Sequence, residues 1–388
     1  MNGARSILIL GASEIHLPVI QECKRLGYCV LVADFDPGAP GLQIADVPLA
    51  ISTHDVDAVL AAARAHSIDG ILTTSDYPVR TVARVCRELG LHGLSEASAA
   101  ICTDKFLQRN LLRSCGLICP RFELIESPQH LSTAAGLAFP IVVKPVDSSA
   151  SRGVSRVDDP HDLRDAYELA RSYSRSANVI VEEFISGPEF SVEALVQHSV
   201  VHVVAITEKA THGDGERFYV ETRHIVPASI SSALSETIRG TVQKALVAAG
   251  LDDTASHTEI KLSPRGPVIV EIAARLGGDY ITSDLVPLST GVSMLRNVIR
   301  LAIGHEIDLA PVTSKVAGIQ FVTPENHARA AERFAQVRRD PRVHRTELHE
   351  KPKDATLRSS LDRLGYLIAS AETREELLAT LNFEGCAG

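Results

Sequence analysis

The stretch over residues 257–279, HTEIKLSPRGPVIVEIAARLGGD, limits what this chain can fold into more than any other. Two short β-prone runs flank Ser-Pro-Arg-Gly-Pro, and each holds a single glutamate, Glu259 and Glu271. Side chains alternate along a strand, so a hairpin paired symmetrically about Arg265 has two distinct faces. Ile260, Leu262, Val268, Val270 and Ile272 share one face, and His257, Glu259, Lys261, Glu271 and Ala273 share the other. The first is apolar and belongs to a core. On the second, Glu259 and Glu271 stand directly opposite, with Cβ atoms about 5 Å apart. Like charges at that distance repel unless a cation lies between them. Two carboxylates on rigid strands suit Mg²⁺, which takes one or two protein carboxylates and completes its shell with water and phosphate oxygens. A solvent-facing pair of glutamates on an amphipathic hairpin is the alternative.

The chain has 388 residues, enough for several domains rather than one small core. With 45% hydrophobic and 22% charged residues it reads as globular. A net charge of −9 and no long basic run argue against a nucleic-acid or anionic-membrane partner. An aromatic content of 4% without tryptophan argues against base-stacking platforms. No apolar run approaches about 20 residues, so no segment is expected to span a bilayer. The start, MNGARSILILGAS, reads as a strand entering a loop and not as a signal peptide. Seven cysteines without a CxxC pair suggest free thiols in a reducing cytosol, and Cys386 falls one place short of a prenylation box.

From the N-terminus, strands over 6–10, 28–33 and 70–74 alternate with helices over 17–26, 56–66 and 79–89, the rhythm of a parallel sheet with crossovers. The layout is Rossmann-like, yet the loop after the first strand reads GASEIHLP and lacks G-x-G-x-x-G. Asp34, where a ribose hydroxyl would be met, therefore reads as a strand-end residue, and a dehydrogenase is not expected. Residues 97–112 read as one helix carrying Lys105 in its middle. Beyond it, strands over 139–145, 154–157, 178–184, 189–196, 200–207 and 219–227 connect more by hairpins than by crossovers, an α+β pattern. The stretch 211–216 reads as a mobile loop, 232–249 and 286–303 as helices, and 309–388 as a mixture of strands with a terminal helix.

Lys144 ends an Ile/Val run and is followed by Asp147-Ser148-Ser149-Ala150-Ser151-Arg152-Gly153. It reads either as a snorkelling edge lysine or as the start of a phosphate cradle, small residues leaving backbone N–H groups free to wrap an anion. It is not a Walker loop, because G-x-x-x-x-G-K-[ST] is missing. Lys105 reads as a helix-surface cation or a second phosphate contact. Val181-Glu182-Glu183-Phe184-Ile185 is a plain strand end or a hinge that reads an adenine edge, with Glu189 placed for a ribose. Arg275, just before Gly277-Gly278, stands where a cation reaches a phosphoryl or tetrahedral oxyanion.

The order of these features resembles the ATP-grasp superfamily, and within it carboxylate–amine ligases of the L-amino-acid ligase kind. The resemblance covers nearly the whole chain. It implies an α/β and α+β multidomain fold: a Rossmann-like pre-ATP-grasp domain (1–96), two ATP-grasp subdomains (97–178 and 179–305) and a C-terminal α+β segment (306–388). It implies that Lys105 and Lys144 contact ATP phosphates under a closing loop that includes Ser148, Ser149, Ser151 and Gly153. Glu182 and Glu183, with backbone near Phe184 and Ile185, would take the adenine, and Glu189 the ribose. Glu259 and Glu271 would hold Mg²⁺, as two ions, with Mn²⁺ an alternative. Glu221-Thr222-Arg223-His224 matches the family's E-x-x-H, so His224 and Arg275 would steady the acyl phosphate and tetrahedral intermediate. Ala273 stands where many relatives carry Asn, and Arg152 sits in a loop that is richer in glycine elsewhere in the family.

The implied activity is ATP-dependent joining of a small carboxylate, an amino acid, to an amine through an acyl phosphate, forming a peptide-like bond. Arg223, His224, Asp279, Tyr280, Ser75 and Asp76 are candidates for the substrate pocket. No nucleic acid or membrane partner is expected, and the pattern leaves room for a homodimer. Within the same fold the alternative is a carboxylase or formyl-phosphate transferase. Outside it, the alternative is a non-catalytic ATP-binding protein, against which the retained lysines and glutamates argue.

Overall fold

β1 (Ser6–Leu10), β2 (Cys29–Asp34), β3 (Val47–Ala50) and β4 (Gly70–Leu72) form a parallel sheet in the order β3-β2-β1-β4. β1 reads Ser-Ile-Leu-Ile-Leu without alternation because both of its faces are covered. Ile7 and Ile9 pack into one core cluster, and Leu8 and Leu10 into another. Asp34 at the end of β2 accepts from the N–H groups of Ala12 at 2.8 Å and Asp36 at 3.0 Å, the role of a strand-end cap. The computed structural model describes residues 5–134, 136–211 and 220–383. Residues 212–216 of the expected loop, Tyr219 and Cys386 lie outside them.

β5 (Phe122–Ile125), β6 (Ile141–Pro145), β7 (Ser155–Val157) and β8 (Val179–Glu183) make a small antiparallel sheet in the order β5-β8-β6-β7. The helix Leu163–Tyr173 covers it, burying Leu163, Ala166, Tyr167 and Ala170 with Ile141, Val143 and Val181.

The third sheet contains β9 (Glu189–Gln197), β10 (Val200–Thr211), β11 (Glu221–Val226), β12 (Thr254–Ser263), β13 (Gly266–Ala273), β14 (Val316–Val322), β15 (Val343–Leu348) and β16 (Gly365–Ala371). Its order is β13-β12-β9-β10-β11-β14-β16-β15, so the C-terminal strands continue the sheet that holds the central hairpin. The mixed α/β and α+β architecture expected from the sequence is the one found.

Three local readings are corrected. The expected helix over 97–112 is two helices, Glu96–Cys102 and Lys105–Ser114. Asp104 breaks it by accepting from the N–H groups of Phe106 and Leu107 (2.9 and 3.0 Å), an N-cap that starts a new helix at Lys105. The expected helix over 286–303 is also interrupted: Gly291, at φ 78°, ends Val286–Thr290, and Ser293 caps Met294–Ala302.

The hairpin pairs as expected from His257↔Ala273 to Glu259↔Glu271 and then shifts by one residue, to Ile260↔Ile269 and Ser263↔Gly266. A β-bulge absorbs the extra residue, so Ile269 packs with Ile260 and Ile272 in one core cluster, while Val268 is buried opposite Lys261.

Candidate active site

The Glu259/Glu271 pair forms as the sequence predicts, and each carboxylate carries a lysine. Lys105 Nζ lies 2.9 Å from Glu271 Oε1, and Lys209 Nζ lies 2.9 Å from Glu259 Oε1. Lys209, on β10, also reaches Glu189 at 2.9 Å and Glu221 at 3.1 Å. Sequence reasoning missed it, because a lysine in VVHVVAITEKAT reads as an ordinary strand residue. Burial opposes its charge, but Glu189, Glu259 and Glu221 outweigh it and hold its pKa well above the usual lysine value.

A second irregularity brings Glu221 to this cluster. Residues three apart on a strand point to opposite faces, yet the β10–β11 register passes from Ala210↔Arg223 to Thr211↔Glu221. The bulge at Thr222 restores a common face, so Glu221 and His224 both flank Lys209. Among the described residues, Glu189, Glu221 and Glu259 bring one ligand atom each within 4.8 Å of one another. These acids, with Glu271 beside them, fit a hard cation that prefers oxygen, and two lysine ammonium groups now supply the positive charge.

The phosphate-loop candidates sit above this floor. Lys105 N–H donates to Val146 O at 2.8 Å and its Nζ to Ser148 O at 2.7 Å, tying the loop to the helix start. Ser149 O accepts from Arg152 Nε at 3.1 Å, while Ala150, Ser151 and Gly153 all have positive φ (57°, 56° and 72°). That left-handed run turns the backbone sharply without a glycine-rich sequence. Arg152 lies 5.2 Å over the Tyr77 ring, which links the loop to the N-terminal sheet.

Lys144 and Glu182 form a separate buried group. Lys144 Nζ and Arg109 Nε each lie 2.7 Å from Glu182, so both oxygens of its carboxylate are engaged by cations. Arg109 was missed, although it stands one turn after Lys105 and so shares its face. Glu183 accepts from Arg121 N at 3.2 Å and from Arg265 at 3.3 Å. Phe184 lies under Arg156 at 4.6 Å, Ile185 is half-buried, and Glu189 opens β9.

Burial pushes the Glu182 carboxyl up, but Arg109 and Lys144 outweigh it and bring it down to about 2 from an ordinary 4.5. As pH falls, the unfolded chain takes up this proton first. The stabilisation is therefore present above 4.5 and lost toward about 2. We expect about 3 kcal/mol of stability to disappear across that window. Chemical denaturation of the wild type and of a triple variant, Arg109→Met/Lys144→Met/Glu182→Leu, checks it, because the variant loses that share of the slope.

Arg275 follows β13 and pairs with Asp76 through Nε and Nη2 at 2.8 and 2.9 Å. Asp76 lies just beyond β4, outside the carboxyl ends of β1 and β4, where the strand order reverses and open α/β sheets place their ligands. His224 is buried, with Nε2 3.4 Å from Asp279. Glu193 and His257 complete the floor. Burial lowers the pKa of His257, but Glu193 at 2.6 Å more than compensates and raises it to about 9. A Cβ at Gly277 would stand 2.7 Å from both Glu193 Oε2 and His257 Nδ1. Gly277→Ala is expected to cost about 1–3 kcal/mol and to disturb Glu259 through His257, which thermal melting and activity together would register. An unchanged melting temperature would sink it.

Residues 137–284 match the model of the ATP-grasp domain. That stretch of the chain is thus similar to an ATP-grasp domain. Among solved structures it is similar to an L-amino acid ligase from Bacillus licheniformis, with TM-score 0.79, 24% identity, and 98% of this chain and 96% of that one covered. It is also similar to a phosphoribosylglycinamide synthetase from Anaerococcus prevotii, with TM-score 0.73, 21% identity and 97% of each chain covered. By sequence it is 33% identical over 189 residues to a formate-dependent phosphoribosylglycinamide formyltransferase of Synechococcus, covering 47% of each. It is 26% identical over 247 residues to the alanine–anticapsin ligase of Bacillus subtilis, covering 58% of this chain and 52% of that one. The chain thus spans about half the length of these two curated relatives. No helix among the described residues is long and apolar enough to cross a membrane.

Proposed function

We propose that the chain is an ATP-dependent ligase that joins a small carboxylate, an amino acid, to an amine. The observation that carries this reading is the polar cluster in which Glu259, Glu271, Lys105 and Lys209 meet, with His224 paired opposite Lys209 on the neighbouring strand. The L-amino acid ligase resemblance over nearly the full chain and the alanine–anticapsin ligase alignment support the substrate class.

In this reading ATP is a co-substrate. Lys105, Lys144 and the loop 147–153 hold its phosphates, the backbone at 183–185 meets the adenine, and Glu189 meets the ribose. Glu259 and Glu271 hold Mg²⁺, which neutralises phosphate charge when bound. A carboxylate oxygen of the donor attacks the γ-phosphorus, the bond to the β–γ bridging oxygen breaks, and ADP leaves with an acyl phosphate left behind. The amine then attacks the acyl carbon, the C–O bond to phosphate breaks, and the amine loses a proton. Arg275 and His224 face the oxygen that gains charge in the second step. Catalysis of this kind rests on positioning and charge neutralisation, which suits a site without a covalent nucleophile.

The test is a matrix of amino-acid pairs, with bicarbonate and formate as further acids, scored for ADP and phosphate release and for product mass. An amide product supports the ligase. Turnover with formate or bicarbonate alone favours the second reading, a one-carbon acid activator, for which the 33% identity to the formyltransferase speaks. Nucleotide binding without ADP release from any pair would overturn both.

A further inference from the structure

Arg363 comes to the substrate end of the site from outside residues 137–284, the part that matches the ATP-grasp domain. It stands between the turn Ser360–Asp362 and β16. Its side chain is 11% exposed, lies over the Phe321 ring at 3.8 Å, and bonds both oxygens of Asp279, at 2.8 and 2.6 Å. Nε donates to Ser360 O at 2.8 Å. Three of the five guanidinium N–H groups are therefore used, which leaves two.

Arg363 ends a chain of contacts across the site. Glu259, Lys209 and Glu221 are linked through the lysine, His224 meets Asp279 at 3.4 Å, and Asp279 meets Arg363. Ser360, in the same turn, donates to Glu221 at 3.1 Å. Asp279 and Tyr280, neither of them glycine, both have positive φ (51° and 62°) and lead into a π-helical turn, Ile281–Leu285. Such conformations cost about 1–3 kcal/mol each and persist where surrounding contacts hold them, as at ligand clamps. π-helical turns collect at functional sites as well.

Glu221 is paired with Lys209 and Asp279 with Arg363 and His224, which leaves the spare donors of the Arg363 guanidinium, and these match a molecule that carries a carboxylate. In acyl-phosphate chemistry the donor's reacting carboxylate is consumed, and the acceptor keeps its own. We propose that Arg363 binds the carboxylate of the acceptor through its two remaining N–H groups, and that the acceptor is an α-amino acid. Asp279 keeps the guanidinium in place, and no bond to Arg363 forms or breaks during the reaction. The inference rests on the ligase reading above.

The experiment compares, in the wild-type chain, an acceptor amino acid with its amide, which lacks the carboxylate. KM for the acid is expected to be about tenfold or more below that for the amide, the difference of one charge-assisted pair. In Arg363→Lys and Arg363→Gln the KM for the acid rises by about that factor, while KM for the amide, the donor and ATP stays within about twofold. Equal use of acid and amide by the wild type overturns the proposal, and that comparison needs no variant to fold. A rise confined to the donor's KM overturns it in favour of an acidic donor. An equal rise for acid and amide, with a lowered melting temperature, overturns it in favour of a docking role for the C-terminal segment. If the wild type ligates no pair at all, the ligase reading fails and this inference fails with it.

Discussion

Glu271→Gln is expected to lower turnover by about 10³-fold or more while leaving the fold intact. Glu271 stands opposite Glu259, is a quarter exposed, and has Lys105 Nζ at 2.9 Å. Partly exposed pairs of this kind contribute about 1 kcal/mol or less, so the melting temperature should move little. The chemical step is another matter. Removing a group that holds the charge-neutralising ion of a phosphoryl transfer costs several kcal/mol in the transition state. The measurement is ADP release under saturating substrates, set beside a thermal melt. Activity within tenfold of wild type would sink the metal role of Glu271. Glu259→Gln should behave in the same way, because Lys209 keeps Glu189 and Glu221 as partners.

Glu182→Gln should do the opposite and strike stability first. Glu182, Arg109 and Lys144 are all buried, with both cations 2.7 Å from the carboxylate. Taking the anion away leaves two cations without a counter-charge in a medium that solvates them poorly, and breaking such a pair costs about 3–5 kcal/mol. Replacing all three charges with apolar groups avoids that penalty, and such replacements are often neutral in stability. We therefore expect the single variant to be much less stable than the Arg109→Met/Lys144→Met/Glu182→Leu variant, by denaturant midpoint. On the proposed reading, in which Lys144 meets a phosphate, the triple variant should still lose ATP affinity. Equal stability of the two would show that the buried charges are not coupled as their distances indicate.

Much of this arrangement was legible in the sequence because it depends on short-range periodicity. The alternation in β12 and β13 places Glu259 opposite Glu271, and unbroken apolar runs mark β1 as a strand covered on both faces. Other parts were not legible, for identifiable reasons. Lys209 differs from a surface lysine only through three acids contributed by other strands. Glu221 and His224 share a face only because of a bulge, which a two-residue period does not contain. Asp104 looked like the interior of a helix, since a cap and a helical aspartate differ in φ and ψ rather than in residue type. Arg363 lies 84 residues from its partner Asp279, and no local pattern connects them. Elements were readable where neighbours in sequence are neighbours in space, and the charged floor was hidden where they are not.

The continuity of the large sheet has a consequence for dissecting the chain. β11 is hydrogen-bonded to β10 on one side and to β14 on the other, from Arg223↔Gln320 to Val226↔Ala317. A chain cut before β14 would leave that second side as a bare row of N–H and C=O groups next to the buried Ile225 and Val226. An open strand edge of this kind is a template for pairing with another copy. The shortened protein would therefore be prone to self-association, and a loss of activity in it would report on solubility before it reported on the missing arginine.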